Sequence, residues 1–275
     1  LATNNGYANQ FRIMTQSNAG VKWDLSSLVT PGLSLSANLS FDFWDYNEAF
    51  RRKTPDTKQF LGYDSVTGEE RYNIIFEESA MTYSLGQSSN RTIYYDARVN
   101  YDRTFNKHSI GFLGLFNRRD YVDLNAGSST ARLPFRRQGV AGRFNYGYDQ
   151  KYLLEVDLGY NGSENFAKGL RYGLFPAISA GWVPSREKFW GANNPINHFK
   201  IRGSYGMVGN DANSAERFYY MSTVNMAANS YLLGNQMIAT GGTAELSMGS
   251  PKATWEVAQK SDVGIDMEMF KGKLK

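Results

Sequence analysis

The sequence has no cysteine, only two histidines, and no apolar run near the roughly 18 residues a membrane-crossing helix needs. Without thiols there is neither a disulfide framework nor a thiolate metal site, which fits an oxidising envelope compartment. Two histidines cannot build a transition-metal centre alone. His108 and His198 each stand at the start of an expected strand beside a turn, at a rim, and no serine or aspartate is spaced to complete a triad with either. Charge is nearly balanced, 30 basic against 26 acidic residues for a net +4, and no polybasic block occurs. That pattern reads as solvated surface and argues against a nucleic-acid partner. Gly241-Gly242 lacks the lysine of a phosphate-binding loop. The expectation is a protein that is not an enzyme, with no cofactor and no metal.

What is present is aromatic and alternating. Aromatics make up 15% of residues, with 18 Tyr and 17 Phe beside 27 Gly, and the mean hydropathy is −0.48. A chain polar on average can still cross a membrane if strands carry their apolar residues at every second position. From Leu33 to Phe43 the odd positions read Leu, Leu, Ala, Leu, Phe, Phe, and the even ones between them Ser, Ser, Asn, Ser, Asp. The same period-2 signal recurs at Ile93–Tyr101, at Val140–Tyr148 and at Tyr152–Tyr160. The apolar faces begin or end in Tyr, Phe or Trp, where aromatic girdles meet the two water interfaces.

About nine strands are expected, over 11–24, 33–45, 91–104, 108–119, 136–148, 152–162, 171–182, 198–208 and 261–270. Their connections alternate in length. Residues 25–32, 105–107 and 149–151 are short, whereas 46–90, 120–135 and 209–260 are long and 163–170 is intermediate. Residues 183–197 are long for their place in this alternation, but Ser185–Trp190 could form one capped helical turn there. Outer-membrane barrels alternate short periplasmic turns with long extracellular loops. A soluble sandwich has no reason to sort its loops in this way. The fold class expected is all-β, an antiparallel transmembrane β-barrel segment that would be an open curved sheet if taken alone. Glycines inside strands (Gly20, Gly111, Gly114, Gly142, Gly159, Gly203, Gly206 and Gly264) suit barrel curvature and close packing.

The stretch 136–190, RRQGVAGRFNYGYDQKYLLEVDLGYNGSENFAKGLRYGLFPAISAGWVPSREKFW, closely resembles the SusC/RagA branch of TonB-dependent transporters. Its Asn-Tyr-x-Tyr strand end, Lys-Tyr-Leu-Leu-Glu strand start and Arg-Tyr-Gly-x-Phe-Pro-x-x-Ala-Gly-Trp strand follow the family order. HFKIRGSYGMVGND (198–211) and TWEVAQKSDVGIDMEMFKGKL (254–274) match further along, so the resemblance covers about a third of the chain. Asn161 and Glu164 depart from the expected loop residues, Ala177 stands where Ser is usual, and Val183-Pro184 interrupts a strand end. The resemblance implies a barrel of about 22 strands closed by a plug, with residues 1–275 lying in one barrel domain and the plug and carboxy-terminal strands absent. It further implies nutrient import at the outer membrane of a Gram-negative bacterium, driven by the TonB complex through the plug. A SusD-like surface lipoprotein would be the partner and a glycan or peptide the substrate. The first residues, LATNNGYANQ, lack the features of a leader, and MFKGKLK follows a turn signal, so both ends are expected to be cuts through a longer chain.

Binding residues are expected among loop aromatics, because flat rings stack on sugar faces or peptide side chains while tolerating water. Phe60, Tyr63 and Tyr72 lie in the 46–90 loop, and Phe218, Tyr219, Tyr220 and Tyr231 in the 209–260 loop. The competing reading is that these rings pack loops onto one another. Asp56, Asp64, Glu69-Glu70 and Glu77-Glu78 could bind calcium, but the spacing of a dedicated loop is missing and solvated charge is the better reading. Two rival classes are a soluble all-β carbohydrate-binding module or adhesin, and an outer-membrane protease or lipase. The first predicts polar residues on the outer face. The second needs a nucleophile beside a histidine.

Overall fold

A computed structural model of the chain describes residues 5–191, 194–212, 217–270 and 274. Nine strands pair in one antiparallel sheet: β1 (Gly6–Asp24), β2 (Leu33–Arg52), β5 (Thr82–Phe105), β6 (His108–Asp123), β7 (Phe135–Tyr148), β8 (Tyr152–Ser163), β9 (Tyr172–Trp182), β10 (Ile196–Asn210) and β13 (Glu256–Met269). Their order in space follows their order in sequence, from β1 at one edge to β13 at the other, so every connection joins neighbours. Two hairpins lie inside the long connections, β3 (Thr57–Tyr63) with β4 (Glu70–Phe76), and β11 (Thr223–Leu233) with β12 (Ile238–Ser247). Contacts divide the chain into two compact units. One comprises Leu1–Ser17, Phe41–Thr92 and Tyr121–Pro134, the other Asn18–Ser40, Ile93–Asp120 and Phe135–Lys275.

The nine sheet strands correspond to the nine expected from alternation, and the order of short and long connections holds except between β9 and β10, where residues 183–195 are long for a short-turn place. Three differences have local causes. β1, β2, β5 and β13 run well beyond the expected bounds. The 46–90 and 209–260 connections are not irregular loops, because each carries its own hairpin. Residues 184–190 form two single-turn 3-10 helices, Pro184–Arg186 and Lys188–Trp190, with no side-chain cap. Ser185 is therefore not a cap. Its hydroxyl accepts from the Phe199 amide at 3.0 Å and donates to the Phe199 carbonyl at 3.3 Å, which ties the turn to β10.

In the second unit the register sorts side chains into two faces. Between β7 and β8, Val140 pairs with Tyr160, Gly142 with Leu158, Phe144 with Val156 and Tyr148 with Tyr152 on one face. On the other face Arg143 pairs with Asp157 and Asn145 with Glu155. The same sorting continues outward, Leu158 facing Pro176 and Val156 facing Ile178, then Ile178 facing Tyr205. The apolar face is left open. Val140, Leu158, Leu174 and Ile178 remain 50–59% exposed. Burying such a side chain fully is worth about 1.5–3 kcal/mol, so this face forgoes on the order of 5 kcal/mol if water covers it. That is comparable to the entire stability of an ordinary domain.

Short turns hold the non-loop end. Asp149 and Gln150 both take positive φ, 52° and 54°, the pair of left-handed residues that matches a turn to the strand twist. Gly32 has φ 89°, and a Cβ there would fall 2.0 Å from the Asp102 carbonyl oxygen, so only glycine fits where β5 passes the β1–β2 turn. Among the described residues no helix is long and apolar enough to cross a membrane.

Candidate functional site

The first group of candidate rings is gathered on the β3–β4 hairpin of the first unit. Pairing of Phe60 with Tyr72 and of Tyr63 with Glu70 brings the three aromatics together. Phe60 meets Tyr63 edge-on at 5.3 Å and Tyr72 at 5.7 Å. All three are about half exposed or more, Tyr63 at 67%. The Tyr72 hydroxyl donates to the Glu70 carboxylate, an interaction that pushes the phenol pKa up. The hairpin tip is closed by Asp64, whose carboxylate accepts the amides of Val66 and Thr67 at 2.9 and 3.1 Å. Those bonds hold its pKa below the usual carboxylate range. The arrangement is a small exposed aromatic platform with carboxylate acceptors beside it, suited to stacking and hydrogen bonding.

The second group, in the second unit, is dispersed. Phe218 is buried and takes a positive φ of 56°. Arg217 lies over its ring at 4.6 Å and over Phe135 at 4.8 Å, and burial pulls the Arg217 pKa down. Tyr219 packs on Phe166 at 5.8 Å, and its hydroxyl donates to the Asp211 carbonyl at 3.0 Å. Tyr220 meets Phe218 edge-on at 6.3 Å, whereas Tyr231 is exposed on β11. Phe218 and Tyr219 thus belong to a packed knot at the root of the β10–β13 connection.

That knot is the best-buried part of the second unit, and the sequence reading did not find it. Phe166 is fully buried and also packs on Trp255 at 5.4 Å, which meets Phe175 at 5.2 Å. Arg137 holds the Asp211 carboxylate with two bonds of 2.9 and 2.7 Å. Asn165 donates to the Asp211 carbonyl at 2.9 Å, and the Trp255 indole donates to the Arg171 carbonyl at 3.0 Å. Phe175 can turn onto the polar face because Gly173 and Gly209 lie under its ring. A Cβ at either would come within 2.5 Å of it. The available signal was Asn165-Phe166 inside an otherwise polar loop and a lone Trp255 just before a strand.

The other candidates are occupied locally. His108 shares a hydrogen bond of 2.8 Å with the Tyr146 hydroxyl and lies against Tyr148 at 5.0 Å. His198 faces Glu268 in the β10–β13 register. Of the loop carboxylates, Asp56 pairs with Lys58 and Glu78 with Lys53, at 2.9 and 2.7 Å. Among the described residues no three His, Asp or Glu side chains gather as a metal would require. At the opposite, short-turn end, Lys151 bridges Asp149 at 3.3 Å and Glu187 at 3.4 Å. The Lys151 ammonium lowers the Asp149 pKa, and Asp149 first, then Glu187, raise that of Lys151.

The polar face of the second unit carries ion pairs in rows. Arg143 binds Asp157 at 2.7 Å and approaches Glu155 at 3.8 Å, while Arg202 reaches Asp262 at 3.2 Å and Asp266 at 3.4 Å. Ser109, Asn145, Glu155, Ser179 and Lys200 line a broad recess between these rows. This face suits water and polar solutes.

Comparison with known proteins agrees with the two-faced sheet. TonB-dependent receptor P39 of Formosa agariphila is 26% identical across 91% of this chain, which corresponds to 24% of that receptor. TonB-dependent receptor P26 of the same organism is 34% identical over 51% of the chain, and TonB-dependent receptor SusC of Bacteroides thetaiotaomicron 28% identical over 48%. These matches take in 14% and 13% of the respective receptors. The chain thus spans a quarter or less of the length of the curated relatives it matches. The RagAB peptide importer in its closed-closed state superposes with a TM-score of 0.68 over 96% of the chain and 29% of the solved chain, at 16% identity. No family model matches the sequence.

In sequence and in fold the chain is similar to TonB-dependent receptors of the SusC/RagA type. The receptor-like stretches fall where the pattern needs them. Residues 136–190 make β7, β8, β9 and the turn after them, 198–211 make most of β10 and the start of the knot, and the last stretch contains β13 at Glu256–Met269. The Asn145-Tyr-Gly-Tyr148 segment ends β7 at the short turn, and Tyr172–Trp182 forms β9 beside β8.

Proposed function

We propose that the chain forms part of the barrel wall and outer loops of a TonB-dependent importer in the outer membrane of a Gram-negative bacterium. The observation that carries this reading is the uncovered apolar face bounded by rings. On β8 the band runs from Tyr152 to Tyr160, about 26 Å along the strand at roughly 3.3 Å per residue. With a strand tilt near 40° that spans about 20 Å across the membrane, and the rings at each end extend it towards the roughly 25 Å of an outer-membrane barrel. Tyr148 stacks with Tyr152 at one limit and Tyr160 with Tyr172 at the other. A soluble carbohydrate-binding module or adhesin is disfavoured, because its outer face would be polar.

In this reading all 275 residues belong to one barrel domain. Energy reaches the barrel from the TonB complex through a plug, and a SusD-like surface lipoprotein caps it. The cargo is a glycan or a peptide, peptides being what the RagAB neighbour is described as importing. The Phe60, Tyr63 and Tyr72 platform is the part of the loops best suited to meet it. The role is transport, with the polar face as the path and no chemistry done on the cargo.

The test uses the full-length parent gene in a Gram-negative host. Heat-modifiable, β-rich protein in the outer-membrane fraction, and cargo uptake lost on deletion of TonB, are expected. A β-rich protein in the soluble fraction would sink the importer reading.

A further inference from the structure

The apolar face of β6 to β9 does not stop at its rings. On β6 the same alternate positions that present Gly114 and Phe116 to an apolar surface recess shared with Val99 and Val140 continue to Arg118 and Asp120. On β7 the positions before Val140 are Gln138 and Arg136, and on β8 those after Tyr160 are Gly162 and then Glu164, just beyond the strand. The register closes them side by side, with Val140 opposite Tyr160, Gln138 opposite Gly162, and Gly162 opposite Tyr172.

These side chains engage one another on the outside of the sheet. Arg118 donates to both carboxylate oxygens of Asp120, at 3.1 and 3.3 Å. Arg136 lies 3.8 Å from Asp120 and 3.7 Å from Glu164. Arg171, anchored through its carbonyl by Trp255 and donating from Nε to the Phe166 carbonyl at 3.3 Å, lines the same small recess with Tyr172. Three guanidiniums against two carboxylates leave one positive charge in excess. Arg118 and Arg136 are partly open to the exterior, with 32% and 44% of their side chains accessible.

Position selects the ligand. If the apolar band is the lipid face, as argued above, a charged cluster immediately beyond the Tyr160–Tyr172 stack stands at headgroup depth. Long side chains reach that depth from the edge of the hydrocarbon. The cluster is on the side of the long connections, which is the outer leaflet. Cargo crossing the barrel would meet the opposite face, that of Arg143, Asp157 and Asn161. Guanidinium forks match phosphate oxygens in charge and geometry.

We propose that Arg118, Arg136 and Arg171 hold the phosphate of an outer-leaflet glycolipid against the outer wall, with Asp120 and Glu164 ordering the arginines. The proposal rests on the barrel reading, so its test must separate the two. Full-length receptor and its Arg118→Gln/Arg136→Gln variant are placed in phosphatidylcholine nanodiscs doped with lipid A or with dephosphorylated lipid A. Retained lipid is read by native mass spectrometry.

The expected result is a preference of about tenfold or more for the phosphorylated lipid, lost in the glutamine variant and partly kept by Arg118→Lys/Arg136→Lys. Equal retention by the parent and a heat-modifiable glutamine variant would overturn the site alone. So would indifference to the lipid phosphate, or binding of inorganic phosphate without lipid enrichment. Absence of the parent receptor from the outer-membrane fraction would overturn the barrel reading, and the site with it.

Discussion

Tyr219 and Tyr72 both sit in long connections. Tyr219 lies against buried Phe166 with its hydroxyl on the Asp211 carbonyl, whereas Tyr72 stands out on a two-stranded hairpin with its hydroxyl on Glu70. The difference lies in what the chain supplies around each ring. The β10–β13 connection leaves its strand through Asp211, which a bidentate arginine grips, and the 164–171 loop contributes Asn165 and Phe166 to cover the rings. The β2–β5 connection offers local backbone pairing and an aspartate-closed tip, so its rings gather without being buried. A loop aromatic becomes structural when a buried polar anchor draws a second loop over it, and remains available for contact when only its hairpin partner supports it.

The contrast breaks most visibly at Phe166. Replacing it by Ala removes a fully buried ring and should cost about 3–5 kcal/mol of local stability. The 164–171 and 217–222 segments should then become proteolysed and exchange their amides rapidly. Asp211→Ala comes next. It removes two charge-assisted bonds but leaves Arg137 partly solvated, so a loss of about 1–3 kcal/mol is expected, read as faster exchange confined to the same segments. Phe60→Ala with Tyr72→Ala should change stability by under about 0.5 kcal/mol, since both rings are already half exposed. If the platform meets cargo, that double variant should nonetheless weaken uptake severalfold in a growth or transport assay, whereas Tyr219→Phe should not.

The smallest effect concerns pH at the short-turn end. Asp149 and Glu187 have lowered pKa values, so their contribution is present above the ordinary carboxylate range and lost as acid titrates the folded state below about pH 4. The Lys151 pKa is raised, so its contribution is present below the ordinary lysine value and lost as alkali titrates the folded state above about pH 10. Between pH 5 and 9 amide protection at residues 149–151 should stay constant once corrected for intrinsic exchange.

Much of the wall was legible in the sequence. Period-2 alternation such as Tyr152-Leu-Leu-Glu-Val-Asp-Leu marks both the strand and its faces, because the sheet repeat is two and each face has one solvent. Loop parity was legible too, apart from the long β9–β10 connection, since connection length can be read directly from the sequence. The hairpins were less so. Gly234-Asn235 is a turn signal between β11 and β12, and Asp64 with Gly68 (φ 72°) closes β3–β4, but both lie in polar stretches whose strands lack a single buried face. The knot was not legible, because Arg137, Asn165, Asp211 and Trp255 are far apart in sequence and meet only after the sheet has formed. Candidate rings could be named from sequence, but whether a ring was covered could not.

The central claim is that alternate residues of one sheet face lipid and a watery interior. Since this chain has no cysteine, single cysteines can be placed at Leu158 and Asp157 of the full-length receptor, with any cysteine elsewhere replaced, and spin-labelled in a bilayer. Leu158 should relax with dissolved oxygen and not with a water-soluble nickel chelate, and Asp157 the reverse, with Val156 and Glu155 repeating the alternation. Equal access of the nickel chelate to both faces would contradict the account.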